Sequence, residues 1–412
     1  MSIEIIRTDK PQDKPKGSLG FGRLFTDHMF QIDYDPDHGW HHARVEPRRP
    51  LQLDPASSVL HYAQAVFEGL KAFRGSDDKV RLFRPDRHAS RFARSFQKMC
   101  IPALPDGLFR EAVMALVREE KDWVPSAKDG SSLYIRPLVL ATEPFLGVRP
   151  SSTYTFLVIC SPVGAYYARG FEPVRIWVET EEVRAVRGGT GAAKTAGNYA
   201  ASLHAAKLAK ERGYDQVLWT DAVEHQRIEE VGTMNVFAHI GDEILTPPLR
   251  GAILPGVTRE SVIRLLRDQG RRVLERQVTI QEIREAHETE RLHEMFGTGT
   301  AAVVSPIGEL GFADDDIILG DGRPGELAQS LYKQITAIQR GEADDPHGWM
   351  YDLDEAYVPD GRRLTTTSCT QAWNDDYSAG NTGIEVGLLF SPALFILKIS
   401  PLIYFAFPAV QA

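Results

Sequence analysis

The stretch Gly188-Gly189-Thr190-Gly191-Ala192-Ala193-Lys194-Thr195-Ala196-Gly197-Asn198-Tyr199 places one lysine among small residues, just ahead of a helical run. Small neighbours let a bulky planar group come close to the amine. A lysine kept from water in such a setting is nucleophilic, as Schiff-base chemistry requires. The same residues nearly spell a phosphate-binding P-loop, with Ala193 where the second glycine belongs. A third reading is a surface turn whose lysine is simply solvated. The surrounding chain has to choose among the three.

On the C-terminal side, residues 198–212 read as a helix closed by Gly213. Residues 217–220 and 236–240 read as strands, and Pro255-Gly256-Val257-Thr258 opens a helix ending near Gly270. Residues 296–304 read as a glycine-rich turn feeding a strand, and 325–340 as an amphipathic helix stopped by Gly341. On the N-terminal side, 174–179 opens a second domain after a hinge at 161–170, punctuated by Pro162, Gly164 and Gly170. Before the hinge come β-rich runs at 133–141 and 153–160, preceded by helices at 86–99 and 106–123. Asp86 is a candidate cap for the first helix, and Leu108, Val113, Leu116 and Val117 recur at helical spacing in the second. Residues 59–73 read as a strand and turn, and 24–34 as a strand-like start. No internal repeat is visible. The pattern predicts an α/β chain: an α+β small domain over residues 1–168, a larger mixed α/β domain over 169–353, and an atypical tail over 354–412.

A length of 412 residues suits two domains, and 43% apolar with 25% charged residues is enough to bury a core without disulfides. The net charge of −9 argues against nucleic acid as the main partner, because a phosphate backbone calls for clustered Lys and Arg. Cys100, Cys160 and Cys369 are odd in number and far apart, so neither a disulfide framework nor a metal site is expected. Reduced cytoplasm fits them best, and residues 1–16 have no apolar signal-peptide core. From Val386 to Ala412 the chain is almost wholly apolar, broken by Lys398, Pro392, Pro401 and Pro408. That length would suit a membrane span, but the prolines and lysine favour a partner-binding extension or a reading-frame artefact instead.

Three further segments bear on the lysine. In Glu229-Glu230-Val231-Gly232-Thr233-Met234-Asn235 an acid before a Gly-Thr turn could hold a protonated ring nitrogen; the bland reading is a surface pair at a strand end. Leu254-Pro255-Gly256-Val257-Thr258 starts a helix, whose free amides and dipole favour a phosphate, although such a turn is commonly just an N-cap. Gly297-Thr298-Gly299-Thr300-Ala301 could form an anion nest from successive amides, or merely a tight turn.

Taken in this order, and with Phe67-Glu68-Gly69-Leu70-Lys71-Ala72-Phe73, these segments resemble the class IV aminotransferases, and within them the branched-chain amino-acid enzymes. The similarity covers roughly Leu19 to Leu353. It implies the two-domain fold of that family, with pyridoxal 5'-phosphate (PLP) at the domain interface. Lys194 would bond to the cofactor and shuttle the substrate's α-proton, Glu230 would pair with the ring nitrogen, and Tyr199 would hydrogen-bond the phenolic oxygen. Arg91, the amides of Val257 and Thr258, and Thr233 and Thr298 would hold the phosphate. Phe21, Tyr62, Phe67, Tyr134 and Tyr166 would shape the side-chain pocket; an aromatic set is more often plain core, and only the resemblance lifts these. Amides of Thr300 and Ala301 would bind the α-carboxylate, and Arg136 would handle glutamate's second carboxylate. Leu146 and Val148, from the partner in a homodimer, would close the pocket.

The implied reaction passes the amino group of L-leucine, L-isoleucine or L-valine to 2-oxoglutarate in two half-reactions. Some mammalian members carry a redox CxxC after the nest; Ala302 and Ser305 stand there in this chain, so no such thiol switch is expected. Three alternatives stay open. The first is a D-amino-acid aminotransferase or lyase of the same fold. The second is a P-loop phosphotransferase with Asp221 as its metal-side acid. The third is a scaffold that merely keeps the fold.

Overall fold

The structure is a computed structural model. It describes every residue except 16, 127–129, 165, 167–169, 355–387, 392–393, 400–402 and 408–412. Residues 1–355 form one compact unit and residues 356–412 a second.

In the first unit, period-two apolar patterning builds two sheets. Along Ser132–Ala141 the residues Leu133, Ile135, Val139 and Ala141 are fully buried, with half-exposed residues between them, as a strand with one face on a core requires. That strand pairs along its whole length with Tyr154–Val163, on whose far side lie His28–Asp35 and Gly39–Pro47. Its other edge takes Ala65–Phe67 and Leu70–Arg74, then Val80–Phe83. The helices Pro85–Lys98 and Leu108–Glu119 cover this sheet, and their Phe92, Phe96, Phe109 and Val113 meet Phe30 and Phe156. Each ring buried this fully is worth about 1.5–3 kcal/mol over an exposed one, so Phe156→Ala would open a large void in the core under the first sheet.

The second sheet runs in the order Ile228–Val231, Gln216–Thr220, Val174–Glu179, Val303–Gly311, Leu292–Gly299, Met234–Ile240, Glu243–Thr246, Arg272–Glu275. An added antiparallel pairing of Ile228–Val231 with Met234–Ile240 closes the middle of this sheet into a ring. A third core lies between the sheets: the helices Val257–Asp268 and Glu326–Arg340 pack Leu266, Leu331 and Ile335 with Phe73 and Phe83 from the first sheet and Phe237 and Phe296 from the second. The longer helix stops where Gly341 turns left-handed at φ 68°.

Several expectations need correction. Residues 59–73 begin with a helix, Ser58–Tyr62, not a strand; Ser57 and Ser58 fasten it to the carbonyls of Thr142 and Glu143. The helix expected over 198–212 is two, Ala196–Ala200 and Leu203–Glu211. The helix expected over 106–123 is shorter, Leu108–Glu119, followed by one tight 3-10 turn. Asp86 sits inside the first turn of its helix and does not cap it; Arg84, at φ 49°, stands before Pro85 instead. Gly297 and Gly299 lie within the strand Leu292–Gly299, and the turn follows them. Met350–Asp352 returns to the first sheet beside Val80–Phe83. The hinge expected at 161–170 falls partly outside the described residues, and the first-sheet strand extends to Val163.

In the second unit, Leu388–Ser391, Leu394–Ile399 and Ile403–Phe407 form an antiparallel three-stranded sheet. Among the described residues no helix is long and apolar enough to cross a membrane.

Candidate active site

Lys194 follows Val174–Glu179 of the second sheet, yet the first sheet and its helix Pro85–Lys98 hold it. Its amide donates to Ser95 Oγ at 3.0 Å, its carbonyl accepts from the Phe67 amide at 3.0 Å, and Thr195 Oγ1 donates to the Ala65 carbonyl at 2.8 Å. Asn198 secures the loop from the other side, its Nδ2 donating to the carbonyls of Thr190 and Ala193. Gly191 lies so close to the Ala252 carbonyl that a Cβ there would come within 2.2 Å of its oxygen. Lys194 Nζ donates to Tyr199 Oη at 2.7 Å and lies 4.8 Å from the centre of the Phe67 ring.

The cavity it enters is lined by both sheets and by the start of the helix Val257–Asp268. Phe21, Phe67, Tyr134, Arg136, Tyr166, Tyr199, Arg91, Glu230, Thr233, Val257, Thr258, Thr298, Thr300 and Ala301 all line it with Lys194. Tyr62, Leu146 and Val148 do not. Tyr62 Oη instead donates to the Leu146 carbonyl, and the three lie exposed on the surface.

Glu230 is buried on the strand Ile228–Val231, its Oε2 2.5 Å from Arg184 and its Oε1 accepting from Asn235 Nδ2 at 3.2 Å. Burial pushes its carboxyl up despite Arg184. Arg91 is equally buried: Glu68 grips it on two sides, and its Nη1 donates to the Pro255 carbonyl at 3.0 Å. No side chain caps the helix that begins at Val257, so its first amides are free to bind an anion. Thr298 Oγ1 is buried without a partner among the described residues. Past it, Thr300 to Ala302 turn the chain, and Val303 adopts φ 64°, a strained conformation for a β-branched residue. Arg136 stacks over Phe67 and Tyr134 at 4.8 and 5.4 Å, with its Nε buried and unpartnered.

These donors fit a phosphate, the buried Glu230 carboxylate fits a protonated ring nitrogen, and Lys194 supplies a primary amine beside both. They do not fit a P-loop. The helix after Lys194 spans only Ala196–Ala200. Asp221, the candidate metal-side acid, accepts from the amides of Val223, Glu224, Gln226 and Arg227. Despite burial, those amides bring its carboxyl down to about 2. It is a turn-former.

Sequence reasoning missed the supports: Arg184 and Asn235 at Glu230, Ser95 and Asn198 at Lys194, and Glu68 with His88 at Arg91. Glu68 and Asn235 lay inside motifs already singled out, and only their buried polar character pointed to a role. Arg184 stands in an ordinary charged run and carried no signal.

The chain belongs to the class IV amino-transferase family, whose sequence pattern matches residues 65–310. Its cofactor is PLP, as in that family. Among individual relatives it is similar to branched-chain-amino-acid aminotransferase 2 of Bacillus subtilis, 52% identical over 85% of this chain and 96% of that protein. It is also similar to the branched-chain-amino-acid aminotransferase of Mycolicibacterium smegmatis, 46% identical over 84% of this chain and 95% of that one. The crystal structure of the Escherichia coli branched-chain amino acid aminotransferase superposes with a TM-score of 0.66 at 26% identity, covering 80% of this chain and 99% of that one. The branched-chain aminotransferase of the thermophilic archaeon Thermoproteus uzoniensis, solved with norvaline, gives 0.64 at 26% identity, covering 79% and 99%.

Proposed function

We propose that this chain is a branched-chain amino-acid aminotransferase, moving the amino group of L-leucine, L-isoleucine or L-valine to 2-oxoglutarate. The observation that carries it is the Lys194 amine lining one cavity with buried Glu230, buried Arg91 and an aromatic wall. The names of its relatives supply the substrate class and favour it over a D-amino-acid aminotransferase or a lyase.

PLP, when bound, supplies a conjugated ring that accepts the electron pair released at the substrate's α-carbon. Arg91, the amides of Val257 and Thr258, Thr233 and Thr298 would hold its phosphate, Glu230 its ring nitrogen and Tyr199 its phenolic oxygen. Lys194 Nζ would take the proton from the substrate's α-carbon and hold it for return on the far side of the amino nitrogen. Amides of Thr300 and Ala301 orient the α-carboxylate. Phe21, Phe67, Tyr134 and Tyr166 keep water from the side chain and give a branched alkyl group an apolar seat. Arg136, stacked and free of carboxylate partners among the described residues, meets the second carboxylate of glutamate.

Tyr62, Leu146 and Val148 we assign to the cavity of a second copy in a homodimer, since all three face outward together. Residues 1–168 and 169–353 are read as the small and large domains, and the cytoplasm as the location. The test is the visible spectrum of the purified holoenzyme titrated with L-leucine. A yellow band that is lost with leucine and restored by 2-oxoglutarate supports both half-reactions. A band that ignores leucine and answers to D-alanine overturns the substrate.

A further inference from the structure

Behind the turn Thr300 to Ala302 lies a second cavity of 280 Å³ that shares Tyr166, Ala301 and Ala302 with the first. Lys71, on the strand Leu70–Arg74, lines it and is 6% exposed. Its Nζ donates to the Ala301 carbonyl at 2.7 Å, and no carboxylate pairs with it among the described residues. The charge that acts on it is a second cation, Arg340 at the end of the helix Glu326–Arg340, which also lines the cavity and has no ion pair among the described residues. Burial and Arg340 push the Lys71 ammonium down to about 8. Ser305 and Gln339, 2% and 5% exposed, line the same space, and their Oγ and Oε1 have no hydrogen-bond partner among the described residues.

Two cations without counter-ions repel each other and suffer from lost hydration. Buried polar atoms left unmatched add to the cost. A single small oxyanion relieves the repulsion and matches the hydroxyl: it pairs with Lys71 and Arg340 and accepts from the Ser305 hydroxyl. The Gln339 amide, turned about its last torsion, adds an N–H. The volume is ample for a phosphate or a short carboxylate. We propose that this cavity is a second anion-binding site, distinct from the cofactor and substrate cavity, that takes a small oxyanion. Because Lys71 also anchors the Ala301 carbonyl, an occupying anion competes with that anchor and is felt at the turn assigned to the α-carboxylate.

The site does not rest on the substrate assignment, and its test is separate. The holoenzyme, with its cofactor site filled, is titrated calorimetrically with inorganic phosphate and, in a second arm, with acetate. Saturation at one site is expected from at least one of them, and which one binds tells phosphate from carboxylate chemistry. Arg340→Gln should weaken that binding roughly tenfold or more, with Arg340→Lys recovering part of it. Ser305→Ala, a milder change, should weaken it several-fold. Turnover of Arg340→Gln without added anion should match wild type. No saturable binding by either anion overturns the site. So does unchanged affinity in both Arg340→Gln and Ser305→Ala. Any of these with intact half-reactions rejects this site alone.

Discussion

Glu68 and Arg91 meet as two buried forks: Nε donates to Oε1 at 2.7 Å and Nη2 to Oε2 at 2.8 Å, with side chains 0% and 5% exposed. Burial alone would raise the Glu68 carboxyl, but Arg91 and His88 hold it well below the usual carboxylate range. Burial likewise opposes the Arg91 charge, and Glu68 outweighs it. The pair fixes the plane of the guanidinium, and the remaining Nη1 and Nη2 hydrogens are left for an anion at the start of the helix Val257–Asp268.

Glu68→Gln removes the charge that orients Arg91 and leaves a buried cation uncompensated. Breaking such a pair costs about 3–5 kcal/mol. The variant should unfold at lower denaturant and lose PLP on dialysis faster than wild type. Unaltered PLP retention would show that Glu68 does not position Arg91 for the cofactor.

Glu229 sits beside Glu230 on the same strand, and burial, then the neighbouring carboxylate, raise it to about 7. A carboxyl whose folded value exceeds its unfolded one favours the folded state most at acid pH. That contribution is lost as pH climbs from the ordinary carboxylate range through about 7. Glu229→Gln should therefore raise Tm relative to wild type at pH 8, with the gap shrinking toward pH 5. A gap that widens on acidification would mean that Glu229 is stabilised as the anion.

Much of this was legible in the chain. Lys194, Glu230, Thr298 and the Gly256 helix start each carry a local pattern that is weak alone, and the resemblance joins them; they line one cavity. Long strands such as Ser132–Ala141 are legible because they are rich in β-formers and bounded by Gly, Pro or Ser. What escaped were features that exist only through tertiary contact. Ser58–Tyr62 is rich in β-formers and becomes helical because Ser57 and Ser58 find strand-end carbonyls far along the chain. Arg184 reaches Glu230 across a loop, and Lys71 reaches Ala301 from the other sheet, so neither pairing leaves a mark at its own position. Tyr62 was placed with its own chain's pocket, whereas its contacts put it with Leu146.

Gly256 has φ −73°, which any residue tolerates, so its requirement is one of space. A Cβ there would fall 1.9 Å from Asn235 Oδ1. Asn235 ties Glu230 to the Leu254 carbonyl, so displacing it unfastens the carboxylate. Gly256→Ala should cost about 1–3 kcal/mol of stability and lower kcat with L-leucine at least several-fold. Gly197 makes the control: a Cβ there meets nothing within 4 Å, and within the helix Ala196–Ala200 alanine is the better former. Gly197→Ala should leave stability equal or slightly higher. Equal losses in both variants would remove the steric account.

Leu146 and Val148 are 62% and 85% exposed, close to Phe145 and Tyr62 at 38% and 39%. Apolar side chains gathered on one loop and one short helix gain little from water and gain from a self-complementary face. If that face belongs to a homodimer, a charge placed in it leaves the isolated fold untouched and acts only on assembly. Leu146→Asp with Val148→Asp should shift sedimentation from dimer to monomer at micromolar concentration while the circular dichroism spectrum stays unchanged. Activity should fall in step with dissociation and recover as protein concentration rises, because each pocket lacks the wall its partner supplies. A variant that remains dimeric, or a monomer as active as wild type, would assign Tyr62, Leu146 and Val148 to some other surface.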